Sequence, residues 1–279
     1  MKNNTEYFDK RRKKIFAKKG GWKVGKGVTS HNYSLFDDLI GKVSYYQMLI
    51  LQVTGTLPDT KLATWFDAVA ISLSYPDVRI WTNTIGALGG TARTSSAAGI
   101  TAGILAADSK MYGVGSLNSI IPFITKLKQS NEKLGFSSLV KISEEIKTKS
   151  KIFPIAAPGF VKPLIKGDER VPALLKLSTD LDFSVKSHLG AALEFEKIIF
   201  EKYGEQLNLG GYIVAFMLDY QFTANHILAI MALIVSGGVH ASYIEYLESP
   251  PESLLPLRCD DMEYTGPPIK IKPEHLDPP

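Results

Sequence analysis

The sequence predicts a mainly α-helical protein, and three observations carry that prediction. Apolar residues recur at three- and four-residue spacing over most of the chain, strand-type alternation is almost absent, and prolines gather late: eight of fifteen fall between Pro250 and Pro279. At 279 residues and 30.7 kDa the chain has room for one large domain or two modest ones around a substantial core. With 45% apolar and 22% charged residues it is neither a disordered nor a low-complexity sequence.

Met1–Lys26 holds ten Lys/Arg against two acids, a balance of +8, so the remaining 253 residues carry 22 basic and 26 acidic side chains, or −4. This segment reads as a solvated basic tail. Its functional readings are anchoring to nucleic acid or an anionic membrane, or attraction of a polyanionic ligand. No recognition motif follows it, which places nucleic acid low among expected partners.

Leu39, Val43, Tyr46, Ile50 and Val53 form one stripe of a helix stopped by Gly55 and Pro58. Thr60 is positioned to cap a second helix carrying Leu62, Phe66, Val69 and Leu73, which ends before Pro76. From Gly86 to Ala107 runs a small-residue stretch suited to close helix approach, with Arg93 arguing against a membrane span. Further helices are expected at about 116–131, 136–150, 171–180 and 187–203, and a last one from Thr223 to Leu247. Breaks near 113–115 and 153–169 are the candidate domain junctions, and the proline-rich end is expected to be extended. The single cysteine, Cys259, excludes an internal disulfide framework and a Cys-clustered metal site. No secretory leader is evident and the longest apolar run, Ile227–Val235, is too short to span a bilayer, so a cytoplasmic protein without membrane attachment is expected.

Self-standing catalytic motifs are missing. There is no P-loop, no GxSxG and no HExxH, and the histidines at 31, 188, 226, 240 and 275 lack ligand spacing. The unusual segment is Pro158–Arg170, PGFVKPLIKGDER, which opens on Pro-Gly and ends on Gly-Asp-Glu-Arg before a new helix. Such a loop suits an anionic ligand held by backbone N–H groups and an arginine, or it is an interdomain turn.

That segment, continued as PGFVKPLIKGDERVPALL, resembles the signature loop of the citrate synthase and citryl-CoA lyase superfamily, PGFGHPLYxxGDPRxxAL, with one residue fewer before the Gly-Asp pair. TAGILAADSKMYG at 101–113 is similar to the family's AAGLLALGxxHGG, LNLGGYIVAFMLDYQF at 207–222 to LNVDGxxAALLLDLGF, and GGVHASYIEYLE at 237–248 to GLLAHxxEE. LRCDDMEYTGP at 257–267 is similar to the RPxxxYxGP ending. The motifs keep the family's order over more than half of the chain.

The resemblance implies an almost wholly helical homodimer acting on a coenzyme A thioester and a carboxylic acid by making or breaking a carbon–carbon bond, with no tightly bound cofactor and no metal. It implies a large domain from 27–117 and 213–279, a small domain at 118–212, and a cleft between them. Carried over residue by residue, the family's two histidines fall on Tyr112 and Lys162, its aspartate on Gly210 and one arginine near Val235. Arg170 and Arg258 match family arginines that grip carboxylates, Arg258 being the one that reaches a partner subunit's site. Gly159, Phe160 and Val161 fall on the loop expected against coenzyme A. Asp168 and Glu169 are the available substitutes for the base, or helix N-cap acids. Two readings follow: an enzyme with a non-standard active site, using Lys162 and Tyr112, or an inactive homologue that binds an acyl-CoA or polycarboxylate ligand or scaffolds a partner protein.

Overall fold

The computed structural model describes residues 5–110, 113–149, 157–161 and 168–267, with side chains omitted for 147–149. Tyr112 and Lys162 lie outside the described residues.

The chain opens on a short helix α1 (Glu6–Asp9) and a hairpin-like sheet that the sequence reading missed: β1 (Gly20–Lys23), β2 (Gly27–Ser30) and β3 (Tyr33–Ser34), antiparallel in that order. The basic segment is thus partly ordered. Its exposed side chains gave no apolar alternation to read, and the sheet is fixed by backbone pairing and by Lys19, whose Nζ donates to the Gln52 carbonyl at 2.7 Å.

The stripe from Leu39 to Val53 is not one helix. A π-turn at Leu35–Leu39 is followed by a break, and α2 runs Tyr45–Thr54. Ser44 and Gln47 form a capping box that restarts the chain there, and Gly55 ends it at φ +85°. In α3 (Thr60–Ser72) the cap is Asp59, not Thr60: its side chain accepts from the Leu62 N–H at 2.8 Å.

The small-residue stretch divides into α4 (Trp81–Thr91) and α5 (Ser96–Leu105), which pack with α12 (Ser236–Glu248). Arg93, between α4 and α5, donates to the Tyr246, Leu247 and Ser249 carbonyls and so closes the C-terminal end of α12. α6 (Leu117–Leu134), α7 (Phe136–Lys149), α8 (Arg170–Asp180) and α9 (Ser187–Tyr203) follow the expected boundaries within a few residues. Strand β4 (Phe160–Val161) pairs with β5 (Gln206–Leu207), then α10 (Leu209–Asp219) and α11 (Ala224–Met231) lead to α12.

The expected helix Thr223–Leu247 is therefore two helices, broken at 232–235. By length and composition the run Ala224–Glu248 is long and apolar enough to cross a membrane, yet half of its most apolar window is buried inside the fold.

α10 is the central strut. Nearly every side chain from Leu209 to Met217 is buried, and Trp65 of α3 stacks on Phe216 at 3.9 Å between ring centroids. The Trp65 Nε1–H donates to the Tyr212 hydroxyl at 3.2 Å, which donates to the Leu174 carbonyl at 3.1 Å. This network ties α3, α8 and α10 together and fixes the N-terminal end of α10, where the site lies.

Candidate functional site

Three segments converge at the start of α10: the turn Val114–Ser116 leading into α6, the loop carrying β4, and the entry to α8. Phe160 pairs with Leu207 and Val161 with Gln206, and the Gly159 carbonyl accepts from the Asn208 N–H at 2.9 Å. Gly159 has φ +88°, and a Cβ there would stand 3.0 Å from the Gly211 Cα. Loop and helix thus meet backbone to backbone, and glycine is required for geometry at Gly159. Phe160 turns into the core, 1% exposed and edge-on to Phe195, so only its backbone can face a ligand. Val161 faces the other way, into a cavity.

That cavity measures about 350 Å³ and brings together several positions singled out from the sequence: Val161, Asp168, Arg170, Gly210 and Val235. Gly113 and Val161, the chain neighbours of Tyr112 and Lys162, line it as well. The break at 232–235 has a role here, because it sets Ile234 and Val235 in the wall. Arg258 is not a lining residue; it is exposed near the C-terminal end, where its N–H donates to Asp261 Oδ2 at 2.7 Å.

Asp168 and Arg170 hold each other. Arg170 Nε donates to Asp168 Oδ1 at 2.7 Å and Nη2 to Oδ2 at 2.8 Å, while the Leu209 N–H donates to Oδ2 at 3.0 Å. Burial pushes the Asp168 carboxyl up, but the guanidinium and the two backbone donors, Leu209 and Arg170, more than offset it, and the group is held below its ordinary value. Asp168 is thereby an ionised anchor for the N-terminus of α10 and a weak proton acceptor. Glu169, the other substitute for the base, is exposed at the N-cap of α8 and makes no side-chain capping bond.

Gly210 presents no side chain to the cavity. A Cβ there would stand 3.1 Å from Ile120 Cδ1 and 3.3 Å from Asn208 Oδ1, so a small shift of the Ile120 methyl would admit one. Among the described lining residues there is no imidazole and no carboxylate besides Asp168.

Three of the histidines are engaged elsewhere. His188 meets Asp219 at 2.8 Å, His226 caps α11, and His240 Nδ1–H donates to the Ser236 carbonyl at 2.7 Å. Asp219, its side chain 2% exposed, also accepts the His188 and Leu189 N–H groups and so caps α9. Burial raises its carboxyl, and these three donors bring it below the ordinary value.

Sequence reasoning missed the Asp168–Arg170 bond and the predominantly aliphatic wall. The first had a signal, an acid two residues before an arginine at a loop-to-helix junction. The second had none, because its residues come from seven separated stretches of chain.

Neither a protein-family model nor a curated protein matches the chain. Solved structures do. A citryl-CoA lyase from Hydrogenobacter thermophilus superposes with TM-score 0.77 at 24% identity, covering 94% of this chain and 98% of that one. An ATP citrate lyase from Methanothrix soehngenii, solved with citrate and coenzyme A, gives 0.72 at 18% identity over 100% of this chain and 46% of its own. Citrate synthase from Thermotoga maritima gives 0.63 at 17%, with 85% and 62% covered. The chain has the fold shared by citrate synthase and citryl-CoA lyase.

Proposed function

We propose that this chain binds a coenzyme A thioester in the cavity at the start of α10 and does not carry out citrate-type carbon–carbon bond formation or cleavage. One observation carries the reading: Gly210, where the resemblance puts the proton-abstracting carboxylate, offers only hydrogen to the cavity. Removing a proton from the carbon next to a thioester needs a base within hydrogen-bond reach. Asp168 does not replace it, because both of its oxygens are bonded to Arg170 and one also to the Leu209 N–H. Coenzyme A is supported by the neighbours in fold, one of which was solved with citrate and coenzyme A. Gly159, Phe160 and Val161 belong to the loop that the resemblance sets against it; Val161 lines the cavity and Phe160 holds that loop to the core.

The same reading takes 27–117 with 213–279 as a large domain and 118–212 as a small one, and a homodimer as the assembly. The mutual packing of α4, α5 and α12, drawn from both ends of the chain, supports the first. The exposed outer side of α5, with Leu105 at 68%, supports the second.

A second reading, an enzyme of altered chemistry, rests on Tyr112 and Lys162, whose chain neighbours line the cavity. Calorimetric titration with CoA and acetyl-CoA, followed by turnover assays with acetyl-CoA plus oxo acids and with citryl-CoA, separates the two. Binding without turnover supports the binding protein. Turnover that Lys162→Ala abolishes and Lys110→Ala spares overturns it in favour of the enzyme.

A further inference from the structure

We infer that the N-terminal hairpin docks the protein on an anionic lipid surface, its tip entering the headgroup region while the lysines around it meet the charged headgroups. Between Lys10 and Lys26 stand nine Lys/Arg and no acid, and beyond Lys26 the chain is net negative. Four of these cations are used within the protein. Lys10 pairs with Glu6 and Arg12 with Asp9, Arg11 lies over the Tyr7 ring at 3.8 Å, and Lys19 donates to the carbonyls of Gln52 and Val53. The other five, Lys13, Lys14, Lys18, Lys23 and Lys26, are exposed and make no ion pair among the described residues.

The hairpin sets Lys23 and Lys26 at its free end. Its ladder pairs Gly20 with Ser30 at one end and Lys23 with Gly27 at the other. The first end is fixed to the body, because Ser30 is buried and its Oγ accepts the Gln52 side-chain amide of α2. The other closes through the Lys26 N–H, which donates to the Lys23 carbonyl at 2.9 Å, and there every residue from Gly21 to Lys26 is exposed. Trp22 is 72% exposed and Val24 84%. Side chains so exposed contribute little to the fold, and large apolar groups set among lysines on a free turn mark a surface that is covered in use. Earlier in the same segment Ile15, between Lys14 and Phe16, is fully exposed.

The side chains favour lipid over nucleic acid. Nucleic-acid surfaces stack bases on aromatic rings and read base edges with arginine forks. Here both arginines of the segment are engaged on the protein, and two of the exposed apolar groups, Ile15 and Val24, are aliphatic with no ring face to offer a base. An aliphatic group gains by leaving water for hydrocarbon, tryptophan settles at the headgroup boundary, and lysines add attraction to anionic lipid. Docking of this kind needs no spanning segment, so it replaces the expected absence of membrane attachment with reversible recruitment from solution.

The test is co-sedimentation of the 279-residue chain with vesicles of phosphatidylcholine alone and of phosphatidylcholine mixed equally with phosphatidylserine. Binding is expected to the mixed vesicles only, and to weaken as salt is added. Lys23→Ala combined with Lys26→Ala is expected to weaken it about thirtyfold, at about fivefold for each lysine near the surface. Trp22→Ala is expected to weaken it about tenfold. If that variant disturbs the ladder, Val24→Asp, which lies outside it, is expected to weaken binding by about tenfold as well, since it sets a carboxylate against the anionic surface. Equal binding to both vesicle types, binding left unchanged by the lysine pair or by Trp22→Ala, or no vesicle binding at all overturns the inference. A single-stranded oligonucleotide titrated in parallel that binds where vesicles do not, and is lost in the same variants, overturns it in favour of nucleic acid.

Discussion

In the helix trio α4–α5–α12, glycine is demanded by packing. A Cβ on Gly90 would stand 2.9 Å from the Leu247 nitrogen, and one on Gly103 would stand 2.7 Å from the Thr82 carbonyl oxygen; both obstacles are backbone. On the cavity wall, Gly210 is different. The nearest atom to a Cβ there is the methyl end of the Ile120 side chain at 3.1 Å, which can give way. The missing side chain in the trio is thus a steric necessity, and the missing side chain at Gly210 is a chemical choice. A Cβ is admitted there by a shift of the Ile120 methyl, and the sequence carries no side chain at the position.

This comparison breaks or sharpens by substitution. The largest effect is expected in the trio: Gly90→Ala or Gly103→Ala should cost about 3 kcal/mol in urea unfolding, because two helices must separate along their length. A cost below about 1 kcal/mol would mean the trio is loosely packed and the contrast empty.

Asp168→Asn comes next. It weakens the charge-assisted bonds to Arg170 and to the start of α10 and should cost about 2 kcal/mol at neutral pH. Its pH dependence fixes the sign. Asp168 and Asp219 are held below their ordinary value of 3.8 when folded. The stability they contribute is therefore fully present above that value and is lost as pH falls through the depressed native value. The difference in urea midpoint between the parent protein and Asp168→Asn should accordingly shrink on acidification below about pH 4. A difference that stays constant down to pH 2 would show that the Asp168 carboxylate is not what holds α10.

The smallest effect is expected at Gly210→Ala, within about 0.5 kcal/mol of the parent. A loss near that of Gly90→Ala would make Gly210 a packing glycine after all.

Much of the architecture is legible in the sequence. The boundaries of α6, α7, α8 and α9 follow from amphipathic spacing and flanking Gly, Pro and Ser residues. Where the reading failed, a local device overrode the pattern. The Ser44–Gln47 capping box and Gly41, at φ +75°, interrupt an apolar stripe that by spacing alone runs on unbroken from Leu39. The 232–235 break carries no proline or glycine, and its cost is met by setting Ile234 and Val235 into the wall of the site. The sheet of β1, β2 and β3 was illegible because its strands are short and β1 is wholly exposed, which removes the alternation by which a half-buried strand is recognised. At the site, Gly210, Arg170 and Val161 could be placed together through motif resemblance. The neutralisation of Arg170 by Asp168 could not, since it depends on how the loop folds back onto α10.

The central claim is that this cleft keeps a place for a thioester and has lost its proton acceptor. The most direct measurement is the exchange of the acetyl-CoA methyl protons with deuterated solvent, followed by nuclear magnetic resonance at saturating protein. The account predicts exchange no faster than in buffer, with or without an oxo acid, and a gain in rate for Gly210→Asp. Enzyme-dependent exchange in the parent protein, unaffected by Gly210→Asp, would contradict it.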